Sequence, residues 1–497
     1  MSLNPKKATN GLIPTKVLQC VALECSIPLT DCINSCILDG IFPSELKLAS
    51  VIPTYKNGDT TSKINYRPIS ILPSLSKVFE KLLYIQLSKF FEDKFSTLLC
   101  GFRAHHNTQH ALIRLLKQWQ SCLDKSGKVG TILMDLSKAF DCLPHELLIA
   151  KLAAYGLDKV SLKLISHYLR GRFQRVKIGT SFSKWVEILL GIPQGSILGP
   201  ILFNIFINDF LYSLQRTEVC NFADDNTIYS CASSIDAVIS DLEVDMTNSL
   251  FWFKSNQLVA NPSKFKLMFL GIKNKNLGLF INDDFIISST SVKLLGITLD
   301  NKLNFDNHIN NICTQANRKV SCLFSVRKYL DNKLARQLCN AFVLSNFNYC
   351  PLIWMFCSKS LNSKINKVHK RALKAVTREY EKSLDELLST QSELNIHSRN
   401  VRTLLTEVFK IQSGFNPIFL SEIFSPKLVP YSLRTSCLVT LPTANTSRYG
   451  INSLTFRASQ LWNSLPDGIK TCESVQKFKT NLASWDKITC LCPLCST

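Results

Sequence analysis

Acidic side chains are scarce in this sequence. It has 37 Asp and Glu against 58 Lys and Arg, a net charge of +21 over 497 residues. So large an excess favours a polyanionic partner, because Lys and Arg that neutralise phosphates release condensed counterions; a membrane surface would answer the same charge. No repeat of solenoid period is visible. Residues 1–15 are polar and basic and hold no apolar core of signal length. The 19 cysteines are scattered, odd in number and follow no framework spacing. A disulfide scaffold is thereby excluded and a reducing compartment implied: intracellular, nuclear or cytoplasmic, not secreted. Residues 188–208 carry no charge, yet Gly191, Pro193, Gln194, Gly195, Gly199 and Pro200 crowd the first half. A lipid-exposed helix would lose several backbone hydrogen bonds there. The expectation is a loop feeding a buried helix, and no membrane span.

What is present is ample material for a core: 46% hydrophobic residues, with 30 Phe. That length and composition suit two to four folding units. Residues 1–125 read as mainly helical, broken by a Pro-rich segment at 51–73. Residues 131–136 are a short apolar run fit for a buried strand. A helix opens near Pro144 and ends at Gly156, with proline early and glycine just past the end. Residues 175–190 read as strands, 196–214 as a helix apolar on nearly every face, and 219–230 as two strands around a polar turn. An amphipathic helix at 235–253 and several strands at 266–299 follow, and the chain is helical again beyond about 305. Strands and helices interleave in the middle, so the fold class is α+β with helical flanks.

Two acidic sites in this middle region have unlikely surroundings. Asp135 ends the apolar strand, and Asp224–Asp225 interrupt a hairpin between Phe222–Ala223 and Ile228–Tyr229. Adjacent carboxylates among strand residues repel one another and lose hydration. They become favourable if they converge on divalent cations, and oxygen ligands of this kind suit Mg²⁺. Asp224–Asp225–Asn226 could equally be a polar hairpin tip. A second doublet, Asp283–Asp284, has similar flanks and reads as a solvated turn, and local composition does not separate the two.

The order of motifs does. The segments ILMDLSKAFDCLPHELLIAKLAAYGL (132–157), GIPQGSILGPILFNIFINDF (191–210) and FADDNTIY (222–229) resemble the first three palm motifs of non-LTR (jockey-like) retrotransposon reverse transcriptases. NPSKFKLMFLG (261–271) and LLGITLDNKLNFDNHI (294–309) are similar to the next two. Upstream, FPSELKLASVIPTYKNGD (42–59), NYRPISILPSLSKVFEKLL (65–83) and GFRAHHNTQHAL (101–112) look like fingers motifs, all in family order. The resemblance implies a right-hand polymerase: helical fingers over 1–125, an antiparallel-sheet palm over 126–310, a thumb-like helical region over 311–400, and a tail of unknown role over 401–497. It implies an RNA-directed DNA polymerase using two Mg²⁺ ions, dNTPs, an RNA template and a DNA primer.

Carried over residue by residue, Asp135, Asp224 and Asp225 with the Leu136 carbonyl would hold the metals. Phe140 would be the steric gate against a ribose 2′-hydroxyl, although core packing would serve it too. Asp141 and Lys138 hold the turn. Gln194 and Gly195 would lie against nucleotide and template; glycine there permits close backbone approach. Arg67 and Lys56 would grip the triphosphate, Arg67 being held extended before Pro68. Lys264 matches a general acid for the pyrophosphate leaving group. Phe265 replaces the usual Thr after it and puts the register in question, with Lys266 as a substitute. Leu99 stands where the family often has Gln.

Beyond residue 310 the resemblance thins. On a helix, Lys367, Arg371, Lys374 and Arg378 share one face and Ile365, Val368, Ala372 and Val376 the other, a basic stripe suited to a duplex backbone or to solvent. Arg457, Trp462 and Trp485 read as packing residues. Cys490, Cys492 and Cys495 lack a nearby fourth ligand, so no zinc is expected. Family members usually carry an endonuclease ahead of the polymerase, and its absence here reads as a fragment, a truncated copy or an incomplete gene model. The rival function is a non-catalytic nucleic-acid-binding remnant; the intact Asp135, Asp224, Asp225 and Gln194 argue against it.

Overall fold

Among the described residues, the strands all lie in the first 300 positions. In the computed structural model, which describes residues 9–10, 13–136, 139–272, 277–281, 284–426, 438–485, 490, 492 and 494–495, β1 (Leu48–Tyr55) and β2 (Tyr66–Ile71) pair antiparallel, and β3 (Lys128–Asp135) begins a second sheet. β4 (Arg172–Ile178) lies parallel to β1 and carries β5 (Ser181–Phe182) and β6 (Val186–Ile188). β7 (Glu218–Phe222), β8 (Asp225–Ala232) and β9 (Lys266–Leu270) complete the second sheet in the order β7-β8-β3-β9, antiparallel throughout. Two hairpins follow: β10 (Gly278–Ile281) with β11 (Asp284–Ile287), and β12 (Ser291–Leu294) with β13 (Ile297–Asp300). Every described element after β13 is helical.

The mixed α+β class is as expected, but the break in the mainly helical start proves to be a pair of strands. β1 and β2 fall in the Pro-rich segment, where Pro53 stands directly opposite Pro68. Neither can donate across the ladder, which suits a non-hydrogen-bonded pair. β2 is an edge, and the pairing of β1 with β4 stops at Val51↔Val176. So neither proline removes a bond that the sheet needs.

The second sheet is buried on both faces, and the alternation of β3 shows how. Val129 and Leu133 face a core built with the C-terminal helices, while Ile132 and Met134 face a core built with the N-terminal ones. β9 alternates likewise, Met268 and Leu270 against Leu267 and Phe269. This is the period-2 consequence of strand geometry, and it explains why the segment from Thr131 to Met134 reads as a short apolar run. The helix Ile235–Ser255 lies so close that a Cβ on Gly130 would meet Val238 Cγ1 at 2.5 Å and Leu242 Cδ1 at 2.7 Å.

The C-terminal region packs on the other face. The helix Thr108–Asp124 buries Trp119 there, in one core with Phe409 and Trp462. His110 Nε2 meets Glu407 Oε1 at 2.6 Å, both side chains being nearly fully buried. Asp124 accepts from the backbone N–H groups of Asn445 (2.9 Å) and Thr446 (2.8 Å). The described part of the tail, given no role from sequence, therefore shares a core with the central sheet. No helix among the described residues is long and apolar enough to cross a membrane. The uncharged stretch is instead a loop followed by the buried helix Gly199–Ile207.

Candidate active site

Asp135, the last residue of β3, pairs in register with Asp225, the first residue of β8. Directly opposed residues of an antiparallel pair place their Cβ atoms on one face, about 4.5–5.5 Å apart. Phe222 pairs with Asp225 on the other side, so only Ala223 and Asp224 turn the hairpin. Ala223 has φ 59°, left-handed backbone at a loop position that ordinarily takes glycine, which costs about 1–2 kcal/mol.

Buried amides hold that turn. Asn221 Nδ2 donates to the Ala223 carbonyl (2.9 Å) and to Asn226 Oδ1 (2.8 Å). Behind it, a Cβ on Gly101 would lie 2.3 Å from Ala223 N, so only glycine fits. The Gly101 carbonyl accepts from Asn204 Nδ2 at 2.7 Å. Neither Asn204 nor Asn221 was identified from sequence. Their signal was available: Asn204 is the polar residue inside a helix apolar on nearly every face, and buried amides require partners.

The electrostatics follow from the crowding. Asp225 is reached by solvent at its surface, yet the surrounding protein, then Asp224 and then Asp135, push its carboxyl up to about 6, while Lys56 and Arg67 pull the other way. Both cations are exposed and face the carboxylates from β1 and β2, Arg67 lying opposite Thr54. Lys264 Nζ lies 3.6 Å from Asp135 Oδ2, both side chains half exposed. Of the two lysines weighed from sequence, Lys264 is the one beside Asp135, whereas Lys266 belongs to β9 opposite Leu133. Phe265 is buried in the N-terminal core, which leaves it no role at the site.

Phe140 stacks on Phe203 (ring centroids 4.5 Å) and meets Phe102 edge-on (5.9 Å). Its carbonyl accepts from Ile192 N at 2.7 Å. Asp141 accepts from Gln194 Nε2 at 2.8 Å, and the Gln194 carbonyl accepts from Ser70 N at 2.8 Å. Gly195, at φ 116°, approaches β2 so closely that a Cβ would lie 2.7 Å from the Ser70 carbonyl oxygen. The loop is thus tied to β2 and to the turn that follows β3. Glu80 was also missed: fully buried, it accepts from Ile197 N (2.6 Å) and Leu198 N (3.2 Å) where the helix Gly199–Ile207 begins. Burial pushes its carboxyl up, opposed by Arg172 and these bonds. Leu136 is buried and bridges Ala260. Lys138 and Asp283 lie outside the described residues, and Asp284 opens β11 opposite Ile281.

An oxygen-only, solvent-reached and negatively charged edge fits hard divalent cations, which would relieve the repulsion at Asp225. It is an open edge. Among the described residues, the one group of three or more candidate ligands with atoms within 4.8 Å of one another lies elsewhere, at His397, Cys490, Cys492 and Cys495. That group counts against the expectation of no zinc. The three thiols do have a fourth neighbour, distant in sequence and supplied by the helix Ile396–Gln412.

The basic stripe lies on the helix Lys359–Thr377 or at its C-cap, with Ile365, Val368, Ala372 and Val376 buried opposite. Lys367 is exposed. Arg371 donates to Asn317 Oδ1 (3.2 Å) and Ser321 Oγ (3.0 Å), Lys374 to the Tyr380 carbonyl, and Arg378 to the Arg327 carbonyl (3.1 Å). Much of the stripe therefore also holds the fold together. Arg457 and Trp462 are buried and Trp485 packs against the same core, as expected of packing residues.

Residues 55–299 match the family described as reverse transcriptase (RNA-dependent DNA polymerase). The RNA-directed DNA polymerase from mobile element jockey of Drosophila melanogaster is 29% identical over 74% of this chain and 41% of its own length. The probable RNA-directed DNA polymerase from transposon X-element of the same fly is 26% identical over 75% of this chain and 42% of its own. The chain thus spans about two fifths of the length of these relatives. Among solved structures, apo telomerase from Candida Tropicalis is a distant likeness, with a TM-score of 0.39 and 12% identity over 79% of this chain and 71% of that one.

Proposed function

On the premise that residues 55–299 are a reverse transcriptase domain similar to those of jockey-type non-LTR retrotransposons, we propose that the chain is an RNA-directed DNA polymerase. It adds dNTPs to a primer 3′-hydroxyl under the direction of an RNA template. The observation that carries this reading is the register pair Asp135↔Asp225, with Asp224 beside it in the turn and Lys264 at 3.6 Å from Asp135. In this reading residues 1–125 serve as fingers, 126–310 as palm and 311–400 as thumb.

Asp135, Asp224 and Asp225, with the Leu136 carbonyl, would hold two Mg²⁺ ions. Bound there, the ions supply charge for the attacking and leaving oxygens of an in-line displacement. Lys56 and Arg67 bind the triphosphate from the β1–β2 face, the guanidinium fork suiting phosphate oxygens. Lys264 stands where it donates a proton to the departing pyrophosphate. Phe140, wedged against Phe203 and Phe102, presents a fixed ring edge to the sugar. Gln194 and Gly195 position base and template through a loop that cannot drift. Lys367, with Arg371, Lys374 and Arg378, tracks the duplex backbone.

The test is primer extension on a homopolymer RNA template with the purified chain and an Asp224→Ala variant. Mg²⁺-dependent product from the first and not the second is expected. No product from well-folded protein would favour a non-catalytic nucleic-acid-binding remnant.

A further inference from the structure

The group His397, Cys490, Cys492 and Cys495 has no part in polymer synthesis as proposed above. Its ligand atoms all lie within 4.8 Å of one another, and three of the four residues are buried. Cys492 Sγ is 3.4 Å and Cys490 Sγ 3.7 Å from His397 Nε2. A tetrahedral zinc ion has Zn–S bonds of about 2.3 Å and Zn–N bonds of about 2.0–2.1 Å, which places nitrogen and sulfur about 3.6 Å apart. The observed separations straddle that value. Thiol hydrogen bonds would span similar distances, but thiols are weak partners for a buried imidazole. His397 is 6% exposed, and its Nδ1 has no hydrogen-bond partner in the structure. The imidazole is therefore held among sulfurs, with little else to satisfy it.

We propose that these four residues form a closed, structural Zn²⁺ site of Cys₃His type. On binding, three S–H groups lose their protons to solvent, neutral His397 ligates through Nε2, and no position is left open for substrate. The resulting net negative charge sits at the first turn of the helix Ile396–Gln412, where the helix dipole favours it. The ion clips the residues around 490–495 onto a helix that starts more than 90 positions earlier, since the His397–Cys490 separation in sequence is 93. The bond is thus a tertiary staple. It fixes the end of the chain against the core that contains Phe409 and Trp462.

The test is the zinc content of the full chain purified under reducing conditions, read by plasma mass spectrometry, with Co²⁺ substitution as a second measurement. One zinc per chain is expected in the unaltered protein and in Cys322→Ser, an exposed control. Cys492→Ser and His397→Ala should bind zinc at least about tenfold more weakly. His397→Cys, which restores four ligands, should keep the metal. Co²⁺ in the unaltered chain should show the ligand-field and thiolate charge-transfer bands of a tetrahedral site, a readout independent of how well any variant folds. Absence of zinc and of those bands overturns the proposal. So does zinc undiminished in both ligand variants, or a disulfide between any two of the three cysteines.

Discussion

Asp135 and Asp225 stand opposite one another across the β3–β8 ladder, an arrangement that costs stability in the absence of cations. Burial, Asp224 and Asp135 raise the Asp225 carboxyl to about 6 from an ordinary 3.8. A carboxyl raised on folding favours the protonated protein. The fold is least strained below pH 3.8, and that advantage is lost as pH rises through about 6. Asp225→Asn should therefore stabilise the metal-free chain at pH 7.5 by about 1 kcal/mol, solvent screening at this accessible site having been allowed for. Mg²⁺ should raise the melting temperature of the original chain more than that of the variant. Equal or lower stability of Asp225→Asn in metal-free calorimetry would show that the three carboxylates are not crowded.

Lys264 and Lys266 lie two residues apart but differ in reach. Lys264→Ala should lower kcat for nucleotide addition by about 100-fold, the lower end of what a general acid supplies. Lys266→Ala should leave kcat within about twofold. The reverse ranking in single-turnover kinetics would reassign the proton donor.

The Ala223 turn offers two substitutions of opposite sign. Ala223→Gly removes a left-handed alanine and should stabilise the chain by about 1 kcal/mol. Asn221→Ala strips the buried bonds to the Ala223 carbonyl and to Asn226 and should cost about 1–3 kcal/mol. Urea denaturation of both variants reads the pair, and two changes of the same sign would contradict the strained-turn account.

Glu407 predicts the acid limb of stability. Burial works against its charge, but the His110 bond and Lys410 bring its carboxyl down to about 2 from 4.5. A depressed carboxyl contributes fully above pH 4.5, and the contribution drains as pH falls toward about 2. It amounts to about 3 kcal/mol at neutral pH. Glu407→Gln should lose that increment and show a shallower fall between pH 4.5 and 2. An unchanged acid slope in guanidine titrations would place the origin of acid sensitivity elsewhere.

Much of the site was legible in the sequence because chemistry imposes unusual neighbours. An aspartate closing an apolar strand and a doublet inside a hairpin are both conspicuous, and both appear where expected. Other features were hidden for physical reasons. The β1–β2 pair looked like broken helix because prolines are poor strand formers, and only the pairing of Pro53 with Pro68 shows how they are tolerated. Asn204, Asn221 and Glu80 are single polar residues whose partners are far away in sequence. The ring of His397 meets thiols across 93 positions, a distance at which spacing rules have nothing to read.

The odd residues of β3 face the C-terminal helices and the even ones the N-terminal helices, and this has a bearing on how the polypeptide can be shortened. Cutting the chain after β13 would spare Asp135, Asp224 and Asp225 yet leave Trp119, Val129 and Met268 facing water. Such a minimal fragment would aggregate before it could be assayed. A frameshift late in the reading frame would uncover the same apolar face while leaving the first 300 residues unaltered.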